Sequence, residues 1–306
     1  MRDYNFLEKT LHNLVFKYKF INLSLFEIEK MFFNKNLDFE NNMHVFITGL
    51  PRSGTTTILN LIYSSNQFAS LRYRNMPFIM SPNLTKLIKK KNILSKERAH
   101  KDGITFNLDS PEAFDELFFL SFDKKNMNIK YEFKKFIKLI LISENKKFYL
   151  SKNNSNYKRI DFINTIFCNS QFLISFRNPL QHAYSLYLQH LNFIELQKKD
   201  VFVKNYMNYL GHYEFGLNHK SWNNPKKYFD TLTLNYWLEQ WILFYNKIFE
   251  NYKDNPNCKF IPFENLKERS FVENLIDMLK IKSVDYNLIK EIKIKDVELN
   301  YDKKVL

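Results

Sequence analysis

Residues 44–66 read HVFITGLPRSGTTTILNLIYSSN, and the rest of the chain is best understood outward from them. HVFIT (44–48) is a short β-branched and aromatic run that stops at Gly49, and TTTILNLIYSS (55–65) resumes with apolar residues at helical spacing. The segment reads as strand, tight loop, helix. The alternation recurs downstream. KFYLS (147–151) is a second strand with a helix near 157–168, and QFLIS (171–175) a third with a helix opening at Pro179, where proline suits a first turn. KFIPF (259–263) is a last strand, followed by an amphipathic run at 265–281. Strands alternating with helices imply an α/β fold with a parallel sheet covered on both faces.

Further helices are expected at 84–98, 112–121, 131–143 and 228–250, the last because Trp237, Trp241, Phe244 and Ile248 recur at spacings 4, 3 and 4. Residues 4–40 are also helical in pattern. The expected organisation is an N-terminal helical appendage over 1–40 and one α/β domain over 41–306 with helical lid insertions. No internal repeat and no linker rich in Gly, Ser or Pro divides it.

At 306 residues, 45% hydrophobic and 25% charged, the composition predicts a packed soluble core and excludes a disordered chain or a fibre. Lys and Arg outnumber Asp and Glu by 46 to 32, a net charge of +14. This favours anionic partners, with nucleic acid, acidic membrane, anionic glycan and phosphorylated cofactor all compatible. Cys168 and Cys258 are too few for a metal cluster or a disulfide framework, and read as buried thiols in a reducing compartment. The N-terminus MRDYNFLEKTL carries charges where a signal peptide needs an apolar core, and the longest apolar run, FIKLILI (136–142), is far short of a membrane span. A cytoplasmic protein is expected, with peripheral membrane contact left open. Only five glycines occur, and Gly49 and Gly54 fall in one six-residue stretch, Gly211 and Gly216 in another.

Thr48-Gly49-Leu50-Pro51-Arg52-Ser53-Gly54-Thr55-Thr56-Thr57 lies between a predicted strand and a predicted helix. There, backbone N–H groups and the positive end of the helix converge on an anion, and Ser and Thr hydroxyls add donors. The G-x-x-x-x-G spacing is that of a nucleotide P-loop, but Thr55 stands where such a loop carries Lys. The positive charge sits inside the loop instead, at Arg52. That suits one compact phosphate-linked group with no triphosphate and no metal. The alternative is a glycine-bounded turn with a solvated Arg.

Pro51-Arg52-Ser53-Gly54-Thr55-Thr56 resembles the first signature, P-[KR]-S-G-T-T, of the sulfotransferases that use 3′-phosphoadenosine 5′-phosphosulfate (PAPS). The resemblance implies a P-loop-like fold in which Arg52, Ser53, Gly54, Thr55, Thr56 and Thr57 hold the 5′-phosphosulfate and Arg52 neutralises charge on the leaving oxygen. A second signature, an Arg after a strand with a Ser eight residues on, is matched by Arg177 and Ser185 in FRNPLQHAYS (176–185). These imply a grip on the 3′-phosphate that remains on the product, adenosine 3′,5′-bisphosphate. A third, Lys-x-Pro-x-His, keeps only its lysine, as Lys152-Asn153-Asn154-Ser155-Asn156. Lys152 reads equally as a cleft residue touching sulfate or acceptor and as a solvated Lys. No glycine follows Gly216, so the Gly-rich C-terminal loop of the cytosolic small-molecule branch is absent. The bacterial carbohydrate-type or protein-type branch is implied, with a hydroxyl-bearing glycan or glycolipid as acceptor.

Sulfuryl transfer needs a base for the acceptor proton. Candidates are His100, with Glu97 and Asp102 beside it, and Glu112 in Asp109-Ser110-Pro111-Glu112-Ala113-Phe114-Asp115-Glu116, which resembles the S-P-E-x-x-[DE] stretch of bacterial members. Pro111 as a helix start gives Glu112 a structural alternative, stabilising that helix's first turn. The loop from Gly211 to Gly216, with His219 and Lys220, reads as an acceptor-lining loop or a structural Ω-loop. Two other functions compete. A P-loop kinase or hydrolase needs a Mg²⁺-binding Asp at a strand end, yet 151–156 and 176–178 hold no carboxylate. A basic nucleic-acid-binding protein needs a recognition motif, and the lysines come only in short scattered runs.

Overall fold

The computed structural model describes residues 6–88, 96–97, 105–122, 128–224 and 230–290. Two helices, α1 (Phe6–Lys17) and α2 (Lys19–Phe32), precede the central strand β1 (Val45–Thr48), which leads through the glycine-bounded loop into α3 (Thr55–Tyr63). After β2 (Phe68–Ala69), the backbone of β3 (Lys96–Glu97) and β4 (Thr105–Phe106) forms an antiparallel ribbon. Then come α4 (Glu116–Ser121), α5 (Ile129–Glu144), β5 (Phe148–Lys152), α6 (Ile160–Asn164), β6 (Gln171–Phe176), α7 (Pro179–Lys199) and α8 (Val201–Tyr209). The chain closes with α9 (Leu234–Tyr252), β7 (Cys258–Pro262), α10 (Arg269–Met278) and α11 (Asn287–Lys290).

The main sheet has the order β2-β5-β1-β6-β7, and its paired strands are all parallel. Val45 lies opposite Leu150 on one side and Gln171 on the other. All four residues of β1 are buried, as a central strand covered on both faces requires. Its alternation sorts the core into two layers. Phe46 joins Phe172, Phe136, Phe118 and Trp237 on one face, while Val45 and Ile47 join Leu150, Leu173, Ile58 and Val272 on the other.

α2 packs into the first layer. Phe26 is fully buried with its ring edge-on to Phe118, Phe122 and Phe136. Three positions on, the buried Glu29 carboxylate accepts hydrogen bonds from Asn83 N–H and Nδ2–H (2.7 Å each) and from Leu84 N–H (2.9 Å). Burial raises its pKa, and those hydrogen bonds oppose the rise.

Several local expectations are corrected. The region expected as one helix over 84–98 opens with a single 3-10 turn, Leu84–Leu87, and contains strand at 96–97. Glu29 of α2 accepts the Asn83 and Leu84 N–H groups and so caps the start of that turn, which ends at Ile88 in extended backbone. Pro111 does not start a helix: it bridges Arg72 in extended backbone and Glu112 N–H donates to Leu71 O (3.0 Å), so the helix begins only at Glu116. The run 157–168 is a 3-10 turn and the five-residue α6. Cys258 is buried as expected, but Cys168 is exposed in the turn before β6.

Candidate active site

β1, β5 and β6 are adjacent and parallel, and the chain leaves β1 between the other two, the switch point above which open α/β sheets place their ligands. At this edge the 49–54 loop is held from three sides. Gly49 (φ +142°) passes under the Ser175 carbonyl so closely that a Cβ would collide with it. Gly54 (φ +91°) caps α3 with the Phe263 ring where a Cβ would stand. Arg52 adopts φ +71°, a strained left-handed conformation for a residue with a side chain.

The clamps are specific. Leu50 N–H donates to Tyr245 Oη (3.2 Å), which in turn donates to Ser175 O (2.7 Å), and Ser175 Oγ donates to Ser53 O (2.5 Å). His182 lies 2.8 Å from Pro51 O through Nε2 and accepts Trp241 Nε1–H at Nδ1 (3.0 Å). That pattern makes Nε2 the protonated nitrogen, and burial pushes the imidazole pKa down to about 3, so it stays neutral. β6, α7 and α9 thus fix the loop before any ligand arrives.

Around it stand the residues singled out from sequence. Ser53, Thr55 and Thr56 are buried, and Thr57 is half-buried in the first turn of α3. Asn178 Oδ1 accepts from Leu180 and Gln181 N–H, capping α7 and setting where Ser185 falls. Arg52 Nε donates to Ser185 Oγ (3.2 Å), and Arg177 Nη1 donates to Arg52 O (3.3 Å) while lying over the Phe263 ring at 4.9 Å. The Arg177 Nε is buried with no hydrogen-bond partner among the described residues. Burial lowers this guanidinium's pKa, opposed by the Glu264 carboxylate. Arg52 from the 49–54 loop and Arg177 and Ser185 from the 176–185 stretch therefore form one hydrogen-bonded chain.

A second group lies at the end of β5. Lys152 Nζ is 3.3 Å from Glu112 Oε1, and Tyr73 Oη–H donates to Glu112 Oε2 (2.9 Å). Both charged side chains are only 10–12% exposed, so Lys152 is not the solvated lysine that sequence left open. The loop from Gly211 to Gly216, which sequence offers as acceptor-lining or as a structural Ω-loop, supplies a further charged pair. His212 Nδ1 is 3.4 Å from Glu214 Oε1; burial alone would depress its pKa, but the Glu214 carboxylate overrides this and raises it, with Lys152 and Glu112 also felt. The 211–220 loop carrying the pair is shaped by Gly211 (φ +72°) and by Gly216 (φ +85°), which packs on the Gln197 amide. His219 Nδ1 bonds to Glu214 O (2.8 Å), and Lys220 N–H to Tyr213 O (2.8 Å). The sequence signal was the two glycines. His100 and Asp102 lie outside the described residues, as does the Glu97 side chain.

Residues 44–230 match the family model described as "Sulfotransferase family". No curated protein matches the chain. A solved sulfotransferase from Mycobacterium tuberculosis has a TM-score of 0.54 at 11% identity, covering 94% of this chain and 81% of that one. Another, from Mycobacterium avium, has a TM-score of 0.45 at 13% identity, covering 87% and 70%. The first of these likenesses is one of fold.

Proposed function

The chain belongs to the sulfotransferase family, and from that premise we propose that it transfers the sulfuryl group of PAPS to a hydroxyl of a glycan or glycolipid. The observation that carries this reading is the donor chain of Arg177, Arg52 and Ser185 beside the first turn of α3. Two guanidinium groups, a serine hydroxyl, the Ser53 and Thr55–Thr57 hydroxyls and the first-turn N–H groups make a donor set for a ligand with two separate anionic ends. The buried, unmatched Arg177 Nε fits a phosphate oxygen. Bound PAPS supplies the activated sulfuryl group. Arg177 and Ser185 read the 3′-phosphate, and Arg52, Ser53, Gly54, Thr55, Thr56 and Thr57 hold the 5′ end, Arg52 offsetting charge on the leaving oxygen. Glu112 takes the acceptor proton, and Lys152, paired to it, carries positive charge toward the reacting group.

Thermal shift tests this against its competitors. Adenosine 3′,5′-bisphosphate without Mg²⁺ is expected to raise the Tm; a rise only with ATP and Mg²⁺ supports a kinase, and one only with oligonucleotides a nucleic-acid binder. Arg177→Ala removes a charge-assisted contact worth about 1.5–3 kcal/mol. Calorimetry should show adenosine 3′,5′-bisphosphate weakened about tenfold or more, with 5′-AMP nearly unchanged. Equal loss for both would show that Arg177 does not read the 3′-phosphate.

Turnover is expected to be independent of Mg²⁺, because Arg52, Lys152 and the α3 N-terminus supply the positive charge that a kinase takes from metal. The strand ends at 151–156 and 176–178 offer no carboxylate to hold one. Activity abolished by EDTA and restored by Mg²⁺ would refute this. Acceptor identity is read by mass spectrometry of host glycans and lipids after gene deletion, where loss of a sulfated species is the expected result.

A further inference from the structure

Glu112, Asp115 and Glu116 each tie the start of α4 and the stretch before it to the end of β5. Glu112 faces Lys152 at 3.3 Å. The buried Asp115 carboxylate accepts from Ser151 Oγ–H and, at 3.4 Å, from Tyr149 Oη–H; burial pushes its pKa up to about 6, and the Ser151 hydrogen bond opposes the rise. Glu116 makes the broadest contact. Its carboxylate takes both Nη groups of Arg159, at 2.7 and 2.8 Å, and Asn153 Nδ2–H at 2.8 Å. The Arg159 guanidinium lies over the Phe119 ring at 3.9 Å, and the side chains of this ion pair are only 15–16% exposed. Asn153, the neighbour of Lys152, is pinned as well: its N–H donates to Ile47 O (3.1 Å), and its Oδ1 accepts Ser155 N–H (2.8 Å). The Glu116 stem also meets the start of the 211–220 loop, where a Cβ on Gly211 would stand 3.6 Å from Glu116 Cγ. The 49–54 loop takes its own clamps from Tyr245, Ser175 and His182 and shares none of these bonds.

We propose that Glu116, acting through Asn153 and Arg159, is the positioning residue that holds Lys152 in register with Glu112. A lysine on its flexible stem does not fix its own place, so the register of this pair is set by its neighbours. α4 begins only at Glu116, so helical regularity does not place Glu112 relative to it. A bidentate carboxylate–guanidinium pair stacked on a ring is rigid by comparison. With Glu116 bound to Asn153, and Asn153 bound to β1, the backbone that carries Lys152 is fixed against the segment that carries Glu112. Lys152 and Tyr73 face Glu112, and the His212 imidazole lies within electrostatic reach of it. The consequence for turnover rests on the transferase reading, whereas the register does not.

The test follows Glu112 directly, by NMR titration of the full chain labelled at the glutamate side-chain carboxyl carbon, with Glu112→Gln assigning its signal. Loss of a nearby cation moves a carboxylate's midpoint up in pH, and Lys152→Met gives the full extent of that move. Glu116→Gln also removes a negative charge, which by itself draws the midpoint down; the same substitution in the Lys152→Met background measures that effect alone. Relative to this reference, Glu116→Gln is expected to raise the midpoint by about half or more of the Lys152→Met effect. Asn153→Ala removes no charge and should raise it outright, which keeps the test decisive if Glu116→Gln does not fold. Equal shifts of Glu116→Gln in the two backgrounds, or an unmoved midpoint in Asn153→Ala, would overturn the proposal and leave Glu116 a staple of the fold, even if the Tm falls. In turnover, Glu116→Gln should lower kcat about tenfold or more while adenosine 3′,5′-bisphosphate affinity stays within about twofold. If that nucleotide does not raise the wild-type Tm, the transferase reading fails, and the midpoints still decide the register.

Discussion

Glu112→Gln is expected to lower turnover on the order of 10²–10⁴-fold while leaving adenosine 3′,5′-bisphosphate affinity intact. The carboxylate is not surface decoration: it is 12% exposed, takes the Tyr73 hydroxyl on one oxygen and faces Lys152 from the other. Glutamine keeps the size and an acceptor oxygen but cannot take a proton. It also leaves Lys152 without its ion-pair partner in a half-dry site, so some thermal stability should go as well. Tyr73→Phe separates the two effects, since it removes a positioning hydrogen bond and keeps the carboxylate; a modest turnover loss is expected. If Glu112→Gln retains more than about a third of wild-type turnover, it is not the base. The role then passes to the His212 and Glu214 pair, whose imidazole already feels both Lys152 and Glu112.

Arg52→Ala should cost on the order of 10²–10³ in kcat, the usual loss when a preorganised donor to developing charge is removed. Arg52 occupies a left-handed backbone conformation that alanine disfavours equally, so the backbone cost is shared by both proteins and the loss reports the side chain. Its Nε also holds Ser185 Oγ, and the substitution should therefore weaken nucleotide binding at the 3′ end too. Arg52→Lys restores charge without that fork and should recover kcat more than affinity. A loss below about tenfold for Arg52→Ala would remove Arg52 from the reaction and leave it a purely structural loop residue.

The strands that build the sheet were legible because β1, β5 and β6 are short aromatic and aliphatic runs ended by Gly or by polar residues, and burial on both faces leaves few other readings. β2 was not, since two residues carry no period. The helix expected over 84–98 had an apolar period, yet the described residues there are a 3-10 turn at Leu84–Leu87 and strand backbone at Lys96–Glu97 paired with Phe106 and Thr105, a pairing that no local window reports. Arg52, Arg177 and Ser185 were each visible as a residue type at a fixed offset from a strand. That the Arg52 side chain reaches Ser185 was not, because the contact spans 133 positions. Glu112 was placed near a helix start on the strength of Pro111, whereas the backbone there is spent on Leu71 and Arg72. His212 and Glu214 carry no spacing signature beyond the two glycines that bound their loop, and only the fold brings them within electrostatic reach of Lys152.

The anchorage of α2 has a consequence for synthesis. Phe26 and Glu29 have no buried environment until Asn83, Phe118 and Phe136 exist, and Lys30 meets Glu132 only 102 positions later. At about 5–20 residues per second of translation, α2 emerges from the ribosome roughly 5–20 s before α5 completes its seat. During that interval the apolar face of α2 is open to solvent on a tethered nascent chain. The seat of α2 is complete only once α5 has emerged, so burial of Phe26 waits on a segment about a hundred residues further along the chain.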